Sequence, residues 1–136
     1  MNIKQTIKEL KENFDKEYRK EIINNMLENK EDFEISNYRF IHQDNIDEIM
    51  KDELSSDTYI LGCFNAWFIA NITGLDYNII EGAQKAENYE LLGELMLKNI
   101  DEVIEGYISA DGYGHHFGHY DGNENELEDY YYFRVN

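Results

Sequence analysis

The sequence predicts a mainly helical α+β fold: about five helices around a buried central helix at residues 59–73, a short hairpin near 33–41 and a C-terminal strand. Three observations carry that prediction. Proline is absent from all 136 residues, which removes the strongest helix breaker. Apolar residues recur at steps of three and four over most of the chain, the period of an amphipathic helix. The end of the chain, "YYYFRV", has instead the aromatic and β-branched composition of a strand.

The elements follow in order. Ile3, Ile7, Leu10, Phe14, Tyr18, Ile22 and Met26 form one apolar stripe, which predicts a single long first helix able to pack on the body or pair with a second copy. "FEISNYRFI" alternates apolar and polar around Ser36-Asn37 and predicts the hairpin. Asp44 is placed as an N-cap, with Asp47 in the first turn of a helix whose Ile46, Ile49, Met50 and Leu54 face inward. "SSD" stops that helix and caps the next. "TYILGCFNAWFIANITG" is apolar nearly all round, which predicts the central helix with Trp67 as its largest buried anchor. Gly74 ends it, Asp76 caps a helix through Ile79, Ile80 and Ala83, and "NYELLGELMLKNIDEVIEGY" predicts one further amphipathic helix.

Length predicts one domain, residues 1–136, with one core. The hydrophobic fraction of 42% and 19 aromatic residues exclude a disordered chain. Cys63 is the only cysteine, so no internal disulfide forms, and its apolar neighbours predict an inert buried thiol. A charged N-terminus and short apolar runs predict no signal peptide and no membrane span, hence a cytoplasmic protein.

Charge is the loudest global signal: 12 basic residues against 29 acidic, net −17. Residues 1–30 are nearly balanced, whereas 31–57 carry nine acids and two bases, and 101–136 carry nine acids and one base. Such a surface repels phosphate backbones and attracts cationic grooves. The segment "AWFIANITGLDYNIIEGAQK" has helix-turn-helix spacing: Ala70 four before Gly74, Leu75 after it, Ile80 six after it. Its second helix would present Asp76, Tyr77, Asn78, Glu81 and Gln84 with Lys85 as the only base. That charge predicts no direct nucleic-acid binding and an ordinary tight helix corner.

"DGYGHHFGHYDG", residues 111–122, holds three of the four histidines and four glycines. His115, His116 and His119 with Asp111 are residue types that hold a divalent transition metal. The glycines argue against regular helix, and no specific metal motif is present. Three readings therefore stand for the loop. It is a structural loop with partly buried rings, a recognition loop using Tyr113, His115, His116, His119 and Tyr120, or a metal or catalytic site. His42, at the hairpin end, is assigned a hydrogen-bonding role. Of Tyr130, Tyr131 and Tyr132, strand alternation places two on the core and one outward.

"ISADGYGHHFGHYDGNENE" followed by "YYYFRVN" resembles the C-terminal part of small proteins carried by bacteriophages and other mobile elements. The similarity extends back through "NIDEIMKDELSSDTYILGCFNAWFIANITGLD". Acidic anti-CRISPR and anti-restriction proteins are of this general kind, and they occupy sites meant for nucleic acid. The resemblance implies a cytoplasmic inhibitor of a host defence nuclease or its complex, and it assigns no catalytic residue and no cofactor. The acids offered for that role are Asp44, Asp47, Glu48, Asp52 and Glu53 on one helix, and Asp121, Glu124, Glu126, Glu128 and Asp129 near the other end. The alternative is a small metal-dependent enzyme or ligand-binding protein built on the histidine loop.

Overall fold

The computed structural model describes residues 1–136, which form two compact units. Unit 1 comprises Met1–Ile46 and Asp111–Asn136, and unit 2 comprises Asp47–Ala110. The architecture is α+β, with nine helices and a four-stranded antiparallel sheet.

Unit 1 opens with α1 (Ile3–Leu10) and α2 (Lys16–Leu27). The single long first helix expected from the apolar stripe is thus two helices. Asp15 makes the break: its carboxylate accepts from the Tyr18 N–H at 3.0 Å and starts a second helix. Of the stripe, Leu10, Phe14, Ile22 and Met26 enter one core with Ile7 against it, whereas Ile3 and Tyr18 are exposed; Ile23 joins the core from outside the stripe. Strands β1 (Asp32–Ile35) and β2 (Tyr38–His42) form the expected hairpin around Ser36-Asn37. The C-terminal strand β4 (Tyr130–Arg134) is also as expected, and β3 (Asn125–Leu127) joins it to give the order β1-β2-β4-β3. Strand alternation sends Phe40, Tyr130 and Tyr132 to one face, against Phe14 and Phe33. Tyr131 and Phe133 point to the other. Burial pushes the Tyr130 and Tyr132 phenols above the usual tyrosine range, and the Tyr130 hydroxyl donates to the Lys30 carbonyl at 2.6 Å.

Unit 2 is helical. It holds α3 (Ile46–Ser55), which begins in unit 1, then α4 (Thr58–Gly62), α5 (Ala66–Thr73), α6 (Tyr77–Lys85), α7 (Tyr89–Leu97) and α8 (Ile100–Asp111), which runs on into unit 1. Asp57 caps α4 as expected. Helix α3 opens at Ile46, two residues beyond Asp44, whose backbone N–H is instead bound by the His42 ring at 3.1 Å.

The buried central helix 59–73 is not formed. Asn65, between α4 and α5, accepts from the Trp67 and Phe68 N–H groups and begins a new helix. Leu61, Ile69 and Ala70 are buried, but Trp67 is 61% exposed and Cys63 is exposed. Uniform apolarity here reflects outward as well as inward side chains. The expected helix through residues 88–107 is likewise two, α7 and α8.

Helices α4 and α7 meet backbone to backbone. A Cβ on Gly62 would lie 1.8 Å from the Tyr89 carbonyl oxygen, and one on Gly93 would lie 1.7 Å from that of Thr58. Each helix gives the other a glycine, so no side chain separates them.

Candidate interaction surfaces

The histidine loop is anchored to the sheet by rings. Its one regular turn is α9 (Gly114–Phe117). Phe117 is buried, 5.2 Å from Phe133, with the Arg39 guanidinium 5.1 Å over its ring. Tyr113 packs on Tyr131 at 5.1 Å. The glycines serve close approach: a Cβ on Gly114 would sit 2.2 Å from the Gly122 carbonyl oxygen. Glu124 pins the loop by accepting from the Tyr113 N–H at 2.9 Å, and Asp121 accepts from the Asn123 N–H at 2.9 Å.

His115, His119 and Asp111 are exposed, and His116 is half-buried with its ring edge against Phe117 at 4.6 Å. Nowhere do three or more His, Cys, Asp or Glu side chains converge on a position suited to a metal ion. The His115, His116, His119 and Asp111 set is not gathered, because the backbone turns that the glycines allow spread it around the loop. Tyr120 is exposed beneath the Arg134 guanidinium, 3.8 Å from its ring centre.

The acidic positions fall in both units. Unit 1 carries nine Lys/Arg against sixteen Asp/Glu, and unit 2 carries three against thirteen. Asp47, Glu48 and Asp52 are exposed on α3, and Glu53 is half-exposed. The only base on α3 is Lys51, whose ammonium lies 3.0 Å from the Asp101 carboxylate. That hydrogen bond and the negative charge of Asp101 hold the Lys51 ammonium above the usual lysine range.

Asp44 is exposed, with its carboxylate 3.8 Å from His42 Nδ1. Glu128 and Asp129 form the β3–β4 turn, where Glu128 has φ 55° and accepts from the Thr6 hydroxyl at 3.3 Å. They rim an open cleft of about 260 Å³ floored by Met26, Leu27 and Tyr130. Glu126, exposed on β3, lines a shallower cleft of about 390 Å³ with Lys8 and Glu12.

The helix-turn-helix spacing makes a tight corner between α5 and α6. Gly74 takes the left-handed conformation at φ 75°, and Asp76 caps α6. Ile80 is buried as expected, but its neighbour Ile79 is 60% exposed. Gln84 does not face outward: its amide donates to the Gly62 and Phe64 carbonyls at 3.1 and 2.8 Å.

Sequence reasoning missed the surface at this corner. Trp67 stacks on Tyr77 with centroids 4.0 Å apart and planes 18° from parallel. The Tyr77 hydroxyl donates to Glu81, and Lys85 lies 2.8 Å from Glu81. The bonds from Lys85 and Tyr77 hold the Glu81 carboxyl below its usual range, and Glu81 holds the Tyr77 phenol above its own. The available signal was Asn65, whose role as a cap turns Trp67 to the first turn of a new helix.

The fold and surfaces define an acidic α+β protein whose helical unit is inserted in sequence between the two segments of its sheet unit. No protein-family model, no curated protein and no solved structure matches the chain.

Proposed function

We propose that this protein is a charge-based inhibitor, of the anti-CRISPR or anti-restriction type, that occupies the cationic nucleic-acid groove of a host defence nuclease in the cytoplasm. The observation that carries the reading is the α3 surface: Asp47, Glu48 and Asp52 are exposed while its single cation is committed to Asp101. A helix holds carboxylates at fixed spacing, as a decoy for a phosphate row requires, and such attraction speeds association in a salt-sensitive way. Asp121, Glu124, Glu126, Glu128 and Asp129 supply a second acidic surface in unit 1.

The test is duplex cleavage by an RNA-guided nuclease and by a restriction nuclease, with increasing amounts of this protein. Inhibition relieved by added DNA and weakened by salt is expected, with no duplex binding by the protein itself. Converting Asp44, Asp47, Glu48, Asp52 and Glu53 to Asn or Gln slows association, whereas His115, His116 and His119 to Asn leave inhibition intact. Absence of inhibition, or loss with the histidines and indifference to the carboxylates, overturns the reading.

A further inference from the structure

Trp67 is the chain's only tryptophan, and the structure spends it on the surface. It is the most exposed of the large apolar side chains. One face of the ring is held by Tyr77, which the bond to Glu81 fixes in turn. The indole is therefore pre-set, so a partner that covers it orders little that is not already ordered. Exposed, pre-positioned tryptophan and tyrosine are the residues that most often dominate protein interfaces.

The charge of the unit that carries this platform selects the occupant. Unit 2 carries thirteen carboxylates and three lysines. Two of those lysines are occupied, Lys51 by Asp101 and Lys85 by Glu81. A second copy presents the same negative surface and is repelled, as are duplex DNA and an anionic membrane. Leu75, 40% exposed at the corner, adds an aliphatic contact beside Asp76. We infer that the α5–α6 corner, with Trp67 stacked on Tyr77 as its anchor, docks a cationic amphipathic helix of a partner protein. Apolar residues on one side of such a helix would cover the indole, and its lysines and arginines would meet Asp76 and the net negative charge of unit 2. The inference stands apart from the acidic decoy surface on α3, and either can fail alone.

Trp67 is its own reporter. The test titrates the full chain with a synthetic helix carrying leucine on one face and lysine on the other. The controls are a scrambled peptide of the same composition, a leucine–glutamate helix and duplex DNA. The expected result is a saturable blue shift of Trp67 emission and protection from acrylamide quenching with the leucine–lysine helix alone. By anisotropy of labelled peptide, Trp67→Ala binds about tenfold more weakly or worse. Equal binding of the scrambled peptide makes the attraction charge alone and overturns the proposal. So does binding that leaves Trp67 open to quencher, a readout that needs no variant. Trp67 emission that shifts with protein concentration in the absence of peptide assigns the corner to a second copy, and a shift with DNA assigns it to nucleic acid. Either result overturns it too.

Discussion

In unit 1, Phe14, Phe33, Phe40, Tyr130 and Tyr132 stack between two helices and a sheet, whereas in unit 2 Trp67 and Tyr77 stack on each other at the surface. The difference follows from how each unit closes. A sheet presents a broad face that only large side chains can fill, and rings do so efficiently. Helices α4 and α7 close by backbone approach at Gly62 and Gly93, which leaves no volume for a ring between them. Phe64 and Tyr107 still pack together within unit 2, but its largest ring remains outside. The largest aromatic cluster is thus buried in unit 1, whereas the single tryptophan of unit 2 is displayed.

The sharpest way to break the comparison is Phe40→Ala. Phe40 is fully buried between Phe33 and Tyr132, so about 3–5 kcal/mol of stability should be lost. The loss should appear in thermal melting and in amide exchange of the strands. A variant that melts like the parent would show that ring packing does not hold unit 1.

Next in size are Gly62→Ala and Gly93→Ala. Alanine is the better helix former, yet its Cβ would overlap a carbonyl oxygen of the facing helix. Each should cost about 1–3 kcal/mol or more, as overpacking does. Gly82→Ala is the control: it has open space around it on α6 and should gain up to about 1 kcal/mol. If all three glycines respond alike, the α4–α7 crossing is looser than described.

The smallest effect is expected from Trp67→Ala. Only the exposed stack on Tyr77 is lost, worth about 0.5–1.5 kcal/mol. Chemical denaturation would measure it, and a loss as large as that of Phe40→Ala would mean that Trp67 is a core residue after all.

Much of unit 1 was legible in the sequence because strand alternation and turn residues are local signals. Ser36-Asn37 marked the first hairpin, and Tyr130 and Tyr132 took the core face with Tyr131 left half-exposed. Strand β3 was not legible, since "NEL" is too short and polar to show a period. The helical segments failed for a different reason. Apolar periodicity records which core a residue joins and is blind to a chain that stops and restarts toward the same core, as at Asp15. At Asn65, apolarity on every face does not mean burial on every face: the cap starts a new helix whose Trp67 lies outward. The acidic positions were legible as charges, but the engagement of Lys51 by Asp101 and the inward turn of Gln84 depend on neighbours distant in sequence.

The strand order sets a timetable for synthesis. Strand β2, residues 38–42, pairs with residues 130–134, and the whole of unit 2 is translated between them. At about 5–20 residues per second, the ribosome leaves the β1–β2 hairpin without its partner for roughly 4–17 s. An isolated hairpin is marginally stable, and its open edge invites pairing with other chains. The helices of unit 2 rely on nearer contacts and form on microsecond scales, so they can close while unit 1 still waits. Aggregation of nascent chains should therefore begin at β2, and the protein's yield in cells should follow how fast residues 43–129 are made.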